Sequence, residues 1–163
     1  MTRRFYIDTE FYEDGKTIDL ISIGIATEEG RTLYYANSEA RLDLVSPWVR
    51  ENVLPHLPPK GDPAWLTRAE IAAKVLEFIP NVEGDRIQFW GYFADYDWVV
   101  FCQLFGTMMT LPTHFPMFCM DIKQVAVELG DPHLPPQNST SHHALADAQW
   151  NVIALQYLES LRK

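Results

Sequence analysis

The alternation of apolar and polar positions divides this chain into strands first and helices later. Phe5-Tyr6-Ile7 opens a first strand, and Asp8-Thr9-Glu10 follows it directly, so that these acids end the strand. A turn signal at Glu13-Asp14-Gly15-Lys16 leads into a second, largely apolar strand over Ile18 to Ala26. Glu28-Glu29-Gly30 is another turn, and Thr32 to Ala36 reads as a third strand. Two hairpins in succession predict an antiparallel meander. A fourth strand is expected over Arg86 to Tyr92, the run RIQFWGY.

Helical signals fill most of the remainder. Ser46 before Pro47 has the form of an N-cap with proline at the first helical position, leading into Trp48, Val49 and Val53. Pro55, Pro58 and Pro59 make Leu54 to Pro63 irregular. Thr67 and Glu70 form a capping box ahead of a helix carrying Ile71, Val75, Leu76 and Ile79. A helix from about Tyr96 to Phe105 presents Val99, Val100, Cys102 and Leu104, and stops near Gly106. Asp121 to Leu129 is a further helix, ended by Gly130, and the proline-rich stretch Asp131 to Ser141 is a loop. The last helix spans about Ala144 to Leu161, with Leu145, Ala148, Val152, Leu155, Leu158 and Leu161 along one stripe. A meander followed by alternating helix and strand predicts an α/β fold, a mixed sheet with helices on its faces, in a single domain over 1–163.

Composition narrows the classes. With 163 residues, 47% of them hydrophobic, the chain suits a globular domain with a substantial core. A formal net charge of −9 argues against a basic coat for long nucleic acids, but leaves open an enzyme that grips a strand end through metal ions. Cys102 and Cys119 lack metal-type spacing and are expected as small apolar residues in a reducing compartment. The N-terminus lacks the long apolar region of a signal peptide, and no apolar run is long enough to cross a bilayer. A cytoplasmic protein is expected.

The candidate chemistry is acidic. On a strand, Asp8 and Glu10 project to one face with Cα atoms roughly 6.6 Å apart. Asp97 stands at the start of the helix after the fourth strand. Asp147 lies in the first turns of the last helix, with His142 five residues before it. Acids at a strand end and at two helix starts can meet at one sheet edge. Four clustered carboxylates need compensation, which two divalent cations supply, and hard oxygen ligands favour magnesium or manganese. Such ions about 3.5–4 Å apart are the usual apparatus for in-line displacement at phosphorus. A neutral imidazole, with an ordinary pKa of about 6.5, can take a proton from the attacking water. Phosphodiester hydrolysis follows, with His142 and Glu10 at the reacting centre.

Asp8-x-Glu10, Tyr96-Asp97 and His142-x-x-x-x-Asp147 within HHALADA resemble the three motifs of the DEDDh 3′–5′ exonucleases. Either outer motif alone is weak, but the ordered trio, spread over nearly the whole chain, is strong. The resemblance implies a ribonuclease H-like fold and two metal ions (Mg²⁺ or Mn²⁺) held by Asp8, Glu10, Asp97 and Asp147. It implies His142 as general base. DTEFYEDGKTIDLISIG and YDWVVFCQLFG further resemble the polyadenylate-specific 3′-exoribonucleases of the RNase AS sub-family. That narrower resemblance implies RNA rather than DNA, poly(A) as a candidate substrate, and a homodimer. The expected activity is removal of 5′-mononucleotides from the 3′ end of single-stranded RNA.

Several positions are open to more than one reading. Many relatives carry an asparagine shortly before the second-motif aspartate. Here the segment is Phe93-Ala94-Asp95-Tyr96-Asp97, which makes Asp95 a rival ligand. Asp97 is preferred because an aromatic residue precedes it and Val99-Val100 supply the buried helix face. His143 rivals His142 but lacks the spacing to Asp147, and is expected as an ordinary exposed loop residue. Phe11 and Tyr12 are candidates for stacking on the terminal bases. Arg3, Arg4 and Lys16 are candidate phosphate contacts or plain solvated cations. Trp90, Trp98 and Trp150 are expected in the core or an interface. His56, His114 and His133 receive no function. The competing readings are a DNA exonuclease using the same residues and a catalytically silent binding module. The complete set of four acids and a histidine counts against the second.

Overall fold

The computed structural model describes residues 1–137 and 141–162. Among the described residues, six strands form one mixed sheet: β1 (Thr2–Glu13), β2 (Ile18–Ala26), β3 (Thr32–Asn37), β4 (Trp65–Leu66), β5 (Arg86–Gly91) and β6 (Met120–Asp121). Their spatial order is β4-β3-β2-β1-β5-β6. The expected meander is present, with β1, β2 and β3 antiparallel, while β4, β5 and β6 each join in parallel. The two-residue strands β4 and β6 were not expected, because a pair of residues is too short to carry an alternating signal.

Five α-helices among the described residues flank the sheet: α1 (Pro47–Asn52), α2 (Arg68–Phe78), α3 (Asp95–Gln103), α4 (Ile122–Glu128) and α5 (Ala144–Leu161). Local signals set most of their starts. The Val49 N–H donates to Ser46 Oγ at 3.2 Å, and Thr67 and Glu70 close the reciprocal capping box. Asp121 is the N-cap of α4 rather than its first turn, accepting from the Lys123 N–H at 2.6 Å. The expected irregular stretch 54–63 contains one short 3₁₀ turn, Leu54–His56. Residues 131–137 of the expected loop carry no regular structure, and 138–140 lie outside the described residues.

The alternation along β1 feeds two cores. Phe5 and Ile7 pack with Ile71, Val75, Val100 and Phe101, so α2 and α3 cover one face. Tyr6 packs with Ile122, Val125, Val152 and Leu155, so α4 and α5 cover the other. Trp90 is buried, Trp98 stacks on Phe101, and the Trp150 indole N–H donates to the Pro135 carbonyl, consistent with packing roles. Four expected apolar positions turn out exposed: Trp48, Leu76, Val99 and Leu161. Phe101 takes the buried place on α3 that the sequence reading gave to Val99.

One correction matters for the site. Asp8 and Glu10 do not end β1, which continues to Glu13. It is β5 that stops: its last pairing with β1 is Tyr6 opposite Trp90. From Asp8 onward β1 is paired on the β2 side, with Asp8 opposite Gly24 and Glu10 opposite Ser22, and a bulge follows between Glu10 and Phe11.

α5 crosses β1 and β2 at close range because Gly24 has no side chain. A Cβ at that position would lie 2.3 Å from the backbone of Ala144. The buried Asn151 side chain donates to the Ile7 carbonyl at 3.0 Å and ties the same helix to β1. Replacing Gly24 with Ala should therefore force α5 off the sheet and destabilise the fold by about 1–3 kcal/mol. Urea denaturation measures this, and parental stability would show that the helix is not pressed onto β2.

Candidate active site

The four acids named by the sequence meet where β5 gives way. Beyond Tyr6, the Thr9 N–H faces the side that β5 no longer occupies, and it donates to Asp97 Oδ1 at 2.7 Å. The Thr9 hydroxyl donates to the same oxygen at 2.6 Å. Asp97 is thus held by the residue between Asp8 and Glu10. Asp97 is buried, whereas Asp95 is exposed. Residues two apart on a helix point to nearly opposite sides, so α3 can aim only one of these acids at β1.

Asp147 comes from the other direction. It sits in the first turn of α5, whose N-terminus Gly24 brings down onto the sheet. Glu10, His142 and Asp147 each offer a ligand atom, all within 4.8 Å of one another. The His142 N–H donates to Asp147 Oδ2 at 2.9 Å, and the Gln137 side-chain amide donates to Asp147 Oδ1. His142 has a left-handed backbone (φ 68°), uncommon for a residue with a side chain, and the bond to Asp147 holds it there. Its ring meets Trp48 of α1 edge-on at 4.8 Å.

The two histidines have different duties. His143 is the N-cap of α5, accepting from the Ala146 N–H at 3.4 Å, and its ring stacks on Tyr34 at 4.5 Å. It is half-buried rather than an exposed loop residue, and desolvation pushes its pKa down. A histidine cap lies outside the Ser/Thr/Asp/Asn signal, so the sequence reading missed it.

Electrostatics mark the acid cluster as strained when no cation is bound. Burial, then the neighbouring Asp97, Glu10 and Asp147, drive the Asp8 pKa well above the carboxylate range. Glu10 is pushed up to about 8 by burial and by Asp147 and Asp97. Asp97 is raised to about 6 by burial, against the opposing pull of the Thr9 hydrogen bonds. Asp147 is raised by burial, with the His142 N–H acting against it.

A cavity of about 390 Å³ opens beside Glu10 and His142 and includes Phe11, Tyr12, Trp48 and Val49 in its walls. Phe11 also packs against the core and meets the exposed Tyr96 ring at 5.7 Å. The Tyr12 hydroxyl donates to Asp19 at 3.0 Å. Arg3 and Arg4 are not available near the cavity. Towards the start of β1, Arg3 pairs with Asp85 and Arg4 with Glu28 and Glu159. Thr9, Trp48, Gln137 and Asn151 were not singled out by the sequence, since no local pattern separates them from ordinary strand, helix or loop residues. Among the described residues, no helix is long and apolar enough to cross a membrane.

Comparison with known proteins accords with this geometry. The model of a family described as the 3′-5′ exoribonuclease Rv2179c-like domain matches residues 3–159. Two proteins of Mycobacterium tuberculosis, the 3′-5′ exoribonucleases Rv2179c (strain ATCC 25618 / H37Rv) and MT2234.1 (strain CDC 1551 / Oshkosh), are similar to it. Each is 40% identical over 146 residues, which cover 90% of this chain and 87% of the relative. Among solved structures, the nuclease domain of 3′hExo, a DEDDh family member bound to rAMP, superposes with a TM-score of 0.61 at 13% identity. That match covers 96% of this chain and 92% of the other, and it bears out the ribonuclease H-like fold.

The raised acid pKa values carry a stability signature. Between about pH 4, the ordinary carboxylate range, and pH 8 the folded state binds more protons than the unfolded one, so stability falls as pH rises. Stabilisation from this source is complete below about pH 4 and lost by the pKa of Glu10, about 8. Glu10→Gln removes the carboxylate that ionises across this window and should raise the Tm in metal-free buffer at pH 8 by about 3 °C or more. Thermal melts at pH 5 and pH 8 check this, and a Tm lowered at both would contradict it.

Proposed function

The chain belongs to the 3′-5′ exoribonuclease Rv2179c-like domain family and is a 3′-5′ exoribonuclease, and from that premise we propose how it acts and on what. In this reading it is one exonuclease domain over 1–163 that trims single-stranded RNA from the 3′ end to 5′-mononucleotides. Poly(A) is the favoured substrate. The observation that carries the reading is the convergence of Glu10, His142 and Asp147 within 4.8 Å, beside the buried Asp8 and the Thr9-held Asp97.

The donor set suits divalent metal. Asp8, Glu10, Asp97 and Asp147 present hard oxygens, and their mutual repulsion and burial are relieved by cations placed among them. These four residues would hold two ions, magnesium or manganese. When bound, such ions make a nucleophile of water near neutral pH and stabilise charge on the leaving oxygen.

The chain's own residues supply the rest. Thr9 keeps the Asp97 carboxylate on the cluster through two hydrogen bonds. The His142 N–H bond to Asp147 fixes the backbone that carries the imidazole, which stands close to Glu10 and takes the proton from water. Phe11 and Tyr12 border the cavity next to Glu10 and offer ring faces to the terminal bases. The proposal extends to a homodimer working in the cytoplasm. Gel filtration with light scattering should give twice the mass of one chain.

The decisive assay uses 3′-labelled and 5′-labelled homopolymer RNAs with magnesium present or chelated. With metal, the 3′ label should appear at once as a mononucleotide and the 5′ label as a descending ladder, fastest on poly(A). Asp8→Asn and Asp147→Asn should abolish degradation while retaining the fold, and His142→Ala should slow it by about 10²–10⁴. Full activity in either aspartate variant would sink the site assignment. Equal rates on all four RNAs, or on matched DNA, would remove the substrate preference.

A further inference from the structure

We propose that the chain has a second nucleic-acid subsite, a cleft walled by the β1–β2 hairpin and α3, which takes the phosphates and sugars on the 5′ side of the terminal nucleotide. The inference rests on the exoribonuclease reading and deepens it. Next to the 390 Å³ cavity lies a larger one of about 710 Å³, and Tyr12 lines both. The second includes Lys16, Arg68, Val99 and Gln103 in its walls.

One face of α3 runs past both cavities. Tyr96 meets Phe11 beside the first cavity, while Val99 and Gln103, three and seven residues on, line the second. Those offsets place all three side chains on the same stripe of the helix. This explains why Val99 and Tyr96 are exposed: they form the outer wall of a groove rather than part of the core.

The charge of the groove is unusual for this molecule. In a chain of net charge −9, whose first cavity is bordered by acids, the second cleft is lined by two cations. Its own acid, Asp19, is ion-paired with Arg68, so that pair cancels and leaves the net charge of the lining to Lys16; Asp19 also accepts the Tyr12 hydroxyl and fixes the shared ring. Asp14 in the hairpin turn keeps its charge and is held on the Lys16 and Thr17 N–H groups and the Thr17 hydroxyl. The Lys16 side chain, at the exposed tip of the hairpin, is left to face an incoming anion. A 3′ end seated at Glu10 and His142 has a following chain of phosphates to place. The Tyr12 ring, the Val99 side chain and the Lys16 ammonium suit a base, a sugar and a phosphate.

Chain length separates this subsite from the catalytic one. With magnesium and adenylate oligomers of two and eight nucleotides, Lys16→Glu should raise KM for the octamer about tenfold, with kcat and the dinucleotide KM unmoved. Lys16→Ala should lower the slope of log KM against log salt for the octamer by about 0.7. Equal changes at both lengths, or none at either, would overturn the subsite. Octamer binding by fluorescence anisotropy in calcium buffer reads the same cleft without turnover. If the parent protein fails to degrade RNA, the exoribonuclease reading falls, and the subsite is then decided by whether Lys16→Glu weakens binding in that buffer.

Discussion

Four carboxylates crowded into a largely buried place repel one another, and this protein accepts that cost at the middle of its sheet. Asp8, Glu10, Asp97 and Asp147 come from one strand and two helices, and three of them raise the pKa of the fourth. A core built for stability alone would separate them or pair them with arginine. Arg3, Arg4 and Arg68 are paired with other acids, at the start of β1 and beside the hairpin. The cluster is therefore best understood as a place prepared for cations, and the surrounding fold as the frame that keeps the acids together without them.

That frame has three parts. Termination of β5 after Gly91 frees one side of β1 and lets the Asp97 carboxylate take a backbone N–H that a neighbouring strand would otherwise claim. The absence of a side chain at Gly24 lets the N-terminus of α5 descend onto β2, bringing Asp147 and His142 with it. Asn151, one turn beyond Asp147, secures the helix to the Ile7 carbonyl just before the acid pair. Each contact is backbone-directed, so the geometry is held by rigid elements rather than by the repelling side chains.

Much of the site was readable from residue order, and the misreadings are specific. By sequence, Asp97 outranks Asp95 partly on the ground that Val99 belongs to a buried helix face. Asp97 is buried and Asp95 exposed, but that ground does not hold, since Phe101 occupies the place and Val99 lines a groove. His143 resembled a spare loop residue, yet it caps α5 and stacks on Tyr34. Arg3 and Arg4 are open to phosphate by sequence and prove to be paired with acids, while Lys16 lines the cleft that Tyr12 shares with the acid site. In each case the residue type was seen and its neighbour was not.

The sequence by itself determined the elements and the order of the acidic motifs. Strand alternation, the Ser46 and Thr67 caps, and the extent of α5 depend on residues within a few positions of each other, so local pattern encodes them. Only the tertiary structure decided which side chains meet. The Thr9–Asp97 bonds span 88 residues and the Asn151–Ile7 bond spans 144. Such contacts depend on where β5 ends and how closely α5 can approach β2, which no local periodicity records. The acid pair on β1 becomes a candidate catalytic centre only when those distant elements close around it.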